Sequence, residues 1–104
     1  MPPFLVALLS LVIASPAFAQ EPRAERGRVF LQANCAQCHS IALVGPSPLP
    51  IAPPFRDLHK RYPVESLAES LAEGMMTGHP TMPEFRLDPP QISDVLAYLR
   101  TLER

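Results

Sequence analysis

Apolar side chains recur at three- and four-residue spacing in three stretches of this chain, and each stretch carries its own start or stop signal. The first begins at Pro22, a residue suited to a helix's first turn, and runs to about Ala33, with Ala24, Gly27, Phe30 and Leu31 on one side. Gly27 in mid-helix costs up to about 1 kcal/mol relative to alanine. It marks either a close approach of another backbone or a tolerated surface glycine. The second helix starts at Pro63 and stops at Gly74, with Val64, Leu67, Leu71 and Met75 lining one face and Glu65, Glu69 and Glu73 forming a solvated one. The third opens with Asp88 as N-cap, Pro89 at the first helical position and Gln91 placed to reach back, and it continues to about Leu102. Its apolar stripe is Ile92, Val95, Leu96, Leu99 and Leu102, with Tyr98 alongside. No strand pattern competes and no repeat is visible, so the expected fold class is all-α.

Ahead of these helices, residues 1–19 carry no charged side chain, hold an apolar run from Phe4 to Ala14 and end in the triplet Ala17, Phe18, Ala19. This reads as a secretory signal peptide cut after Ala19, although no Lys or Arg precedes the apolar run. The alternative, a retained anchor, is weakened by length, since the run falls short of the roughly 20 residues a membrane helix needs. Export implies the periplasm. The remaining residues, 20–104, form one small domain in a size range where a hydrophobic core alone barely suffices.

All the charged side chains, ten acids and nine bases, lie in that domain. So even a balance suggests neither nucleic acid nor an anionic membrane surface as a partner. Proline is dense between Gly45 and Phe55, which rules out long regular structure there and implies stiff, ordered loops. Leu43, Leu49, Ile51, Phe55 and Leu58 interleave with those prolines, as in a segment that wraps around something apolar.

The only two cysteines fall in the heptapeptide Asn34 to Ser40, with a histidine directly after the second. A disulfide between Cys35 and Cys38 would close too short a loop to stabilise a domain much, and it leaves His39 without a role. A thioredoxin-type dithiol needs a strand before the motif, whereas a helix precedes it here. A zinc site needs four ligands, and His59 and His79 are the poorly spaced candidates to complete one. Covalent haem attachment uses every residue: each thiol adds to a haem vinyl group, and His39 presents an imidazole nitrogen to the iron.

With that motif, "GRVFLQANCAQCH", "APPFRDLHKRY", "TGHPTMPEF" and "DVLAYLRTL" follow one another in an order that resembles a short bacterial class I cytochrome c over essentially the whole of residues 20–104. The resemblance implies a small all-α fold whose N- and C-terminal helices cross, with proline-rich loops wrapping one covalently bound haem c. In that family the crossing runs through a glycine and an aromatic contact, for which Gly27, Phe30 and Tyr98 stand at suitable places. It also implies a sixth iron ligand from a loop some forty residues past the histidine. Met82, followed by Pro83, meets that description, with His79 as competitor and Met75, Met76 and His59 as weaker candidates. A proline carbonyl is expected to bond the other ring nitrogen of His39, and the likeness of "PPFRD" selects Pro53 over Pro46 or Pro54. Leu31, Ile41, Leu49, Ile51, Phe55, Leu58, Leu71, Leu87, Val95 and Leu99 would form the apolar shell, and Arg56 is read as a surface arginine rather than a partner of a haem carboxylate.

Iron held by protein on both faces leaves no place for substrate, so the expected function is one-electron transfer between partner proteins at an exposed haem edge, by a monomer or weakly associated subunit, and not catalysis. The alternatives are a fixed electron-transfer subunit of a dehydrogenase or oxidase, and a gas-binding or catalytic haem if Met82 is labile. The charged side chains available to steer partners are Arg56, Lys60 and Arg61 on one segment and Glu65, Glu69 and Glu73 on the next.

Overall fold

A computed structural model describes residues 3–4, 7, 9–12, 17–74 and 82–104. Its elements are helical: α1 (Ala17–Asn34), 3-10 turns at Phe55–Lys60 and Val64–Ser66, α2 (Leu67–Glu73) and α3 (Pro89–Thr101). The expected all-α class holds. Among the described residues no helix is long and apolar enough to cross a membrane.

The start of α3 follows from its side chains. Asp88 Oδ1 accepts from the Gln91 amide at 3.0 Å while Gln91 Oε1 accepts from the Asp88 amide at 3.1 Å, so both otherwise orphaned donors are satisfied. Behind this cap Ile92, Val95, Leu96 and Leu99 are buried, and Leu102 follows them into the core. The first helix starts five residues earlier than its proline implied, so Pro22 lies inside it. Proline in that position forfeits a backbone bond.

The two long helices cross at Gly27. A Cβ built there would collide with the Asp94 carbonyl oxygen and stand 3.0 Å from the Tyr98 Cβ. The glycine therefore marks a close backbone approach. Phe30 and Tyr98 are half-buried against the same core, and Arg26 closes the edge with a two-pronged pair to Asp94, at 3.1 and 3.2 Å.

The second helix is shorter than its pattern. Pro63 precedes a 3-10 turn, and the α-helix proper spans only Leu67–Glu73 before Gly74 ends it at a positive φ of 102°. The turn is anchored by Val64, 1% exposed. Glu65, Glu69 and Glu73 form an exposed face, as the pattern implies, and at that surface Arg100 of α3 donates to Glu65 at 3.0 Å.

The proline-rich stretch folds back over the cysteine segment. Its amides at Leu49 and Phe55 donate to the carbonyls of Cys38 and Ser40, at 3.1 and 2.9 Å. The buried Ser47 hydroxyl accepts from the Ser40 amide at 3.0 Å. These bonds replace regular structure with a stiff wrap, as the proline spacing implies.

Candidate functional site

At the end of α1 the chain keeps a helical turn through the cysteines. The Cys35 amide donates to the Leu31 carbonyl at 2.8 Å, and the Cys35 carbonyl accepts from Cys38 and His39, at 3.2 and 3.0 Å. Residues three and four apart share a face on such a turn, and Cys35, Cys38 and His39 all line one cleft. The two thiols are not bridged.

The cleft has two adjoining parts, of about 140 and 360 Å³, which share Cys35, His39, Ile51, Pro53, Met82 and Phe85 as walls. The larger part is otherwise lined by apolar side chains from all three α-helices and the Phe55–Lys60 turn, including Leu31, Phe55, Leu58, Leu67, Leu71, Leu87, Val95 and Leu99, with Arg61 and Tyr62 at its polar rim.

Within it His39 is held from two sides. Nδ1 lies 2.8 Å from the Pro53 carbonyl oxygen, and the Phe55 ring packs on the imidazole with centroids 4.6 Å apart. A carbonyl only accepts, so Nδ1 carries the proton, and in the neutral imidazole the lone pair then lies on Nε2. The bond thereby fixes the tautomer of the ring.

Cys35 is half-buried and its thiol is shifted away from the thiolate. Burial pushes the Cys35 thiol up to about 11, with the nearby Cys38 adding to the same direction. A nucleophilic dithiol needs the opposite shift, toward the thiolate. Among the described residues no group of three or more His, Cys, Asp and Glu is placed to hold a metal ion on its own.

Leu49 and Ile51 line the cleft, as expected of shell residues, Ile51 being 67% exposed where it faces the opening. Other side chains sit otherwise than their sequence positions implied. Arg56 is not a loose surface arginine: its guanidinium donates to the Ser40 hydroxyl at 3.2 Å and to the Ala42 carbonyl at 3.3 Å, clamping the segment after His39. His59 is half-buried in the 3-10 turn rather than exposed. Met75, Met76 and His79 lie outside the described residues. Phe85, a wall of both parts of the cleft, went unnoticed in the sequence; its place three residues past Met82 was the available signal.

An apolar cleft with two thiols and a tautomer-fixed imidazole on one turn, and a thioether on a facing segment, is matched by a family profile described as cytochrome c, which covers residues 24–103. The chain belongs to the cytochrome c family. It is also 34% identical over 101 residues to a protein named cytochrome c-553-like from Synechocystis sp. (strain ATCC 27184 / PCC 6803 / Kazusa), an alignment that takes in 93% of this chain and 90% of that one. No solved structure matches it. A cytochrome c carries one covalently bound haem c and serves electron transport. The cleft suits that group: it offers a volume walled mostly by aliphatic and aromatic side chains, two thiols for attachment and nitrogen and sulfur donors for iron.

Proposed function

We propose that this cytochrome c is exported to the periplasm by a leader cut after Ala19, holds its haem through Cys35 and Cys38 with His39 and Met82 as axial ligands, and carries single electrons between partner proteins. The observation that carries the reading is the His39 Nδ1 to Pro53 carbonyl bond at 2.8 Å, which leaves Nε2 as the free donor in a cleft that Met82 also lines. The bound haem supplies a one-electron iron couple whose potential depends on axial ligand, hydrogen bonding and burial.

The rest of the work falls to the side chains. Pro53 and Phe55 fix the plane and tautomer of His39. The aliphatic walls exclude water, which disfavours whichever oxidation state carries the greater net charge. Ligands from both faces leave no position for substrate, so the protein acts as a carrier and not as an enzyme. Partners meet the rim near Cys35 and Met82 in a small, transient contact of the kind redox pairs use. Steering by charge is weak, because Lys60 pairs with Asp57, Glu65 with Arg100, and Arg56 is spent on the loop.

The choice of sixth ligand is tested by comparing Met82→Ala with His79→Ala in protein matured with haem. The reading expects the Met82 variant alone to lose the low-spin spectrum of the parent. An unchanged Met82 variant together with a changed His79 variant assigns the iron to two histidines.

A further inference from the structure

Two segments face each other beside His39, and the links between them do not end at Pro53. The Phe55 amide donates to the Ser40 carbonyl at 2.9 Å. One residue further on, the half-buried Arg56 reaches back across the same gap, its Nη1 donating to the Ser40 hydroxyl at 3.2 Å and to the Ala42 carbonyl at 3.3 Å. The Ser40 amide in turn donates to the hydroxyl of the buried Ser47 at 3.0 Å, so amide, carbonyl and hydroxyl of this residue are all engaged. Pro53 and Arg56 thus bind the consecutive residues His39 and Ser40 from one segment.

The chain between Pro53 and Arg56 is short and stiff. Pro53 precedes a proline and is restricted in ψ, and Pro54 has its φ fixed by its own ring, at -59°. The turn that opens at Phe55 is closed by the Asp57 amide donating to the Pro54 carbonyl at 3.0 Å. A displacement of Arg56 therefore passes to the Pro53 carbonyl instead of being absorbed on the way. The Phe55 to Ser40 bond alone is a pivot about which the segment can turn. The Arg56 contacts supply the further points that fix its orientation.

We propose that Arg56, acting through Ser40, positions the Pro53 carbonyl against His39 and thereby tunes the reduction potential. Arg56 is a positioning residue: it is not a wall of the cleft and works only through the segment that carries Pro53. The inference rests on the assignment of His39 as axial ligand and adds what sets the strength of its hydrogen bond. A ligating imidazole whose other N–H is bonded to an acceptor is the more basic donor. Slackening that bond makes His39 a poorer donor, which stabilises ferric iron less and raises the potential.

The test uses ferrous holoprotein, in which exchange of the His39 Nδ1 proton with solvent is followed by proton NMR, and voltammetry on the same samples. Ser40→Ala keeps the Arg56 charge and the main-chain bonds of residue 40 while removing the hydroxyl that Arg56 holds. It is expected to speed exchange about threefold or more and to raise the potential. Arg56→Ala loses both contacts and is expected to speed exchange about tenfold. Its potential also feels the lost charge, so exchange is the readout for that variant. Gly27→Ala, at the helix crossing, lowers the unfolding midpoint without touching Ser40, and its exchange is expected to stay within about twofold of the parent.

The positioning role is overturned, with His39 still the ligand, if Ser40→Ala and Arg56→Ala lower the midpoint but leave exchange within about twofold of the parent. It is equally overturned if the Ser40→Ala potential fails to rise, or if Gly27→Ala speeds exchange as much as the other two. If the parent shows no protected proton at Nδ1, the reading of His39 falls and this inference with it. Should Arg56→Ala fail to fold, Ser40→Ala decides alone.

Discussion

Gly27 of α1 packs its bare Cα against the main chain of Asp94 in α3, so closely that an added Cβ would stand 2.6 Å from the Asp94 carbonyl carbon. Alanine at this position gains up to about 1 kcal/mol of helix propensity and meets rigid backbone that cannot step aside. Overpacking of this sort costs about 1 to 3 kcal/mol. Gly27→Ala should therefore unfold at lower denaturant than the parent. A midpoint at or above the parent's would show that the helices separate without penalty.

Tyr98, one turn further along α3, donates its phenol to the Ile41 carbonyl at 2.5 Å and so ties the last helix to the chain just past His39. Tyr98→Phe should cost about 1 kcal/mol at neutral pH. Burial raises the Tyr98 pKa above its ordinary value of 10.0. A raised pKa means that the phenol's contribution is complete below the unfolded-state value and is lost as pH climbs through the folded-state value. Denaturant titrations at pH 8 and at successive steps above pH 10 should show the parent losing this increment and the phenylalanine variant lacking that loss.

Phe55 covers the His39 ring with centroids 4.6 Å apart. Trimming it to alanine opens the histidine to water while the Pro53 carbonyl bond remains available. The expected result of Phe55→Ala is a lower reduction potential, since water favours the more highly charged ferric form, together with a stability loss of about 2 to 3 kcal/mol. Voltammetry and denaturation on the same sample separate the two effects.

Much of the core faces the cleft rather than itself. Left without a cofactor, a 360 Å³ apolar volume costs on the order of 9 kcal/mol at about 24 cal/mol per Å³, as an upper bound for an open site. Small domains have only about 5 to 15 kcal/mol of stability in total. Cys35→Ala/Cys38→Ala protein, deprived of covalent haem, should therefore show little helix by circular dichroism. A helical, cooperatively melting chain would mean that the core suffices alone.

How far the sequence announced this arrangement varies from residue to residue. The third helix was legible to its cap, because Asp88, Pro89 and Gln91 act locally and nothing distant contradicts them. Pro53 as partner of His39 was selected through likeness of "PPFRD", and the 2.8 Å contact lies there. The role of Gly27 stayed open between two readings until Asp94, 67 residues away, could be seen against it. The clamp made by Arg56 and the surface pair of Glu65 were illegible for a related reason: the groups they bind, Ser40, Ala42 and Arg100, lie 14 to 35 residues away, and no periodicity encodes such pairings. Pro22 misled in the other direction, since its fixed φ suits a helix start but does not forbid turns before it.

The central claim, an iron closed on both faces by His39 and Met82, is tested most directly by optical spectra of the holoprotein, oxidised, reduced, and reduced under carbon monoxide. The account predicts a low-spin c-type spectrum, a weak far-red band in the ferric state and no response to carbon monoxide. A reduced spectrum that shifts under carbon monoxide would contradict it and would make the protein a ligand-binding haem with an accessible sixth position.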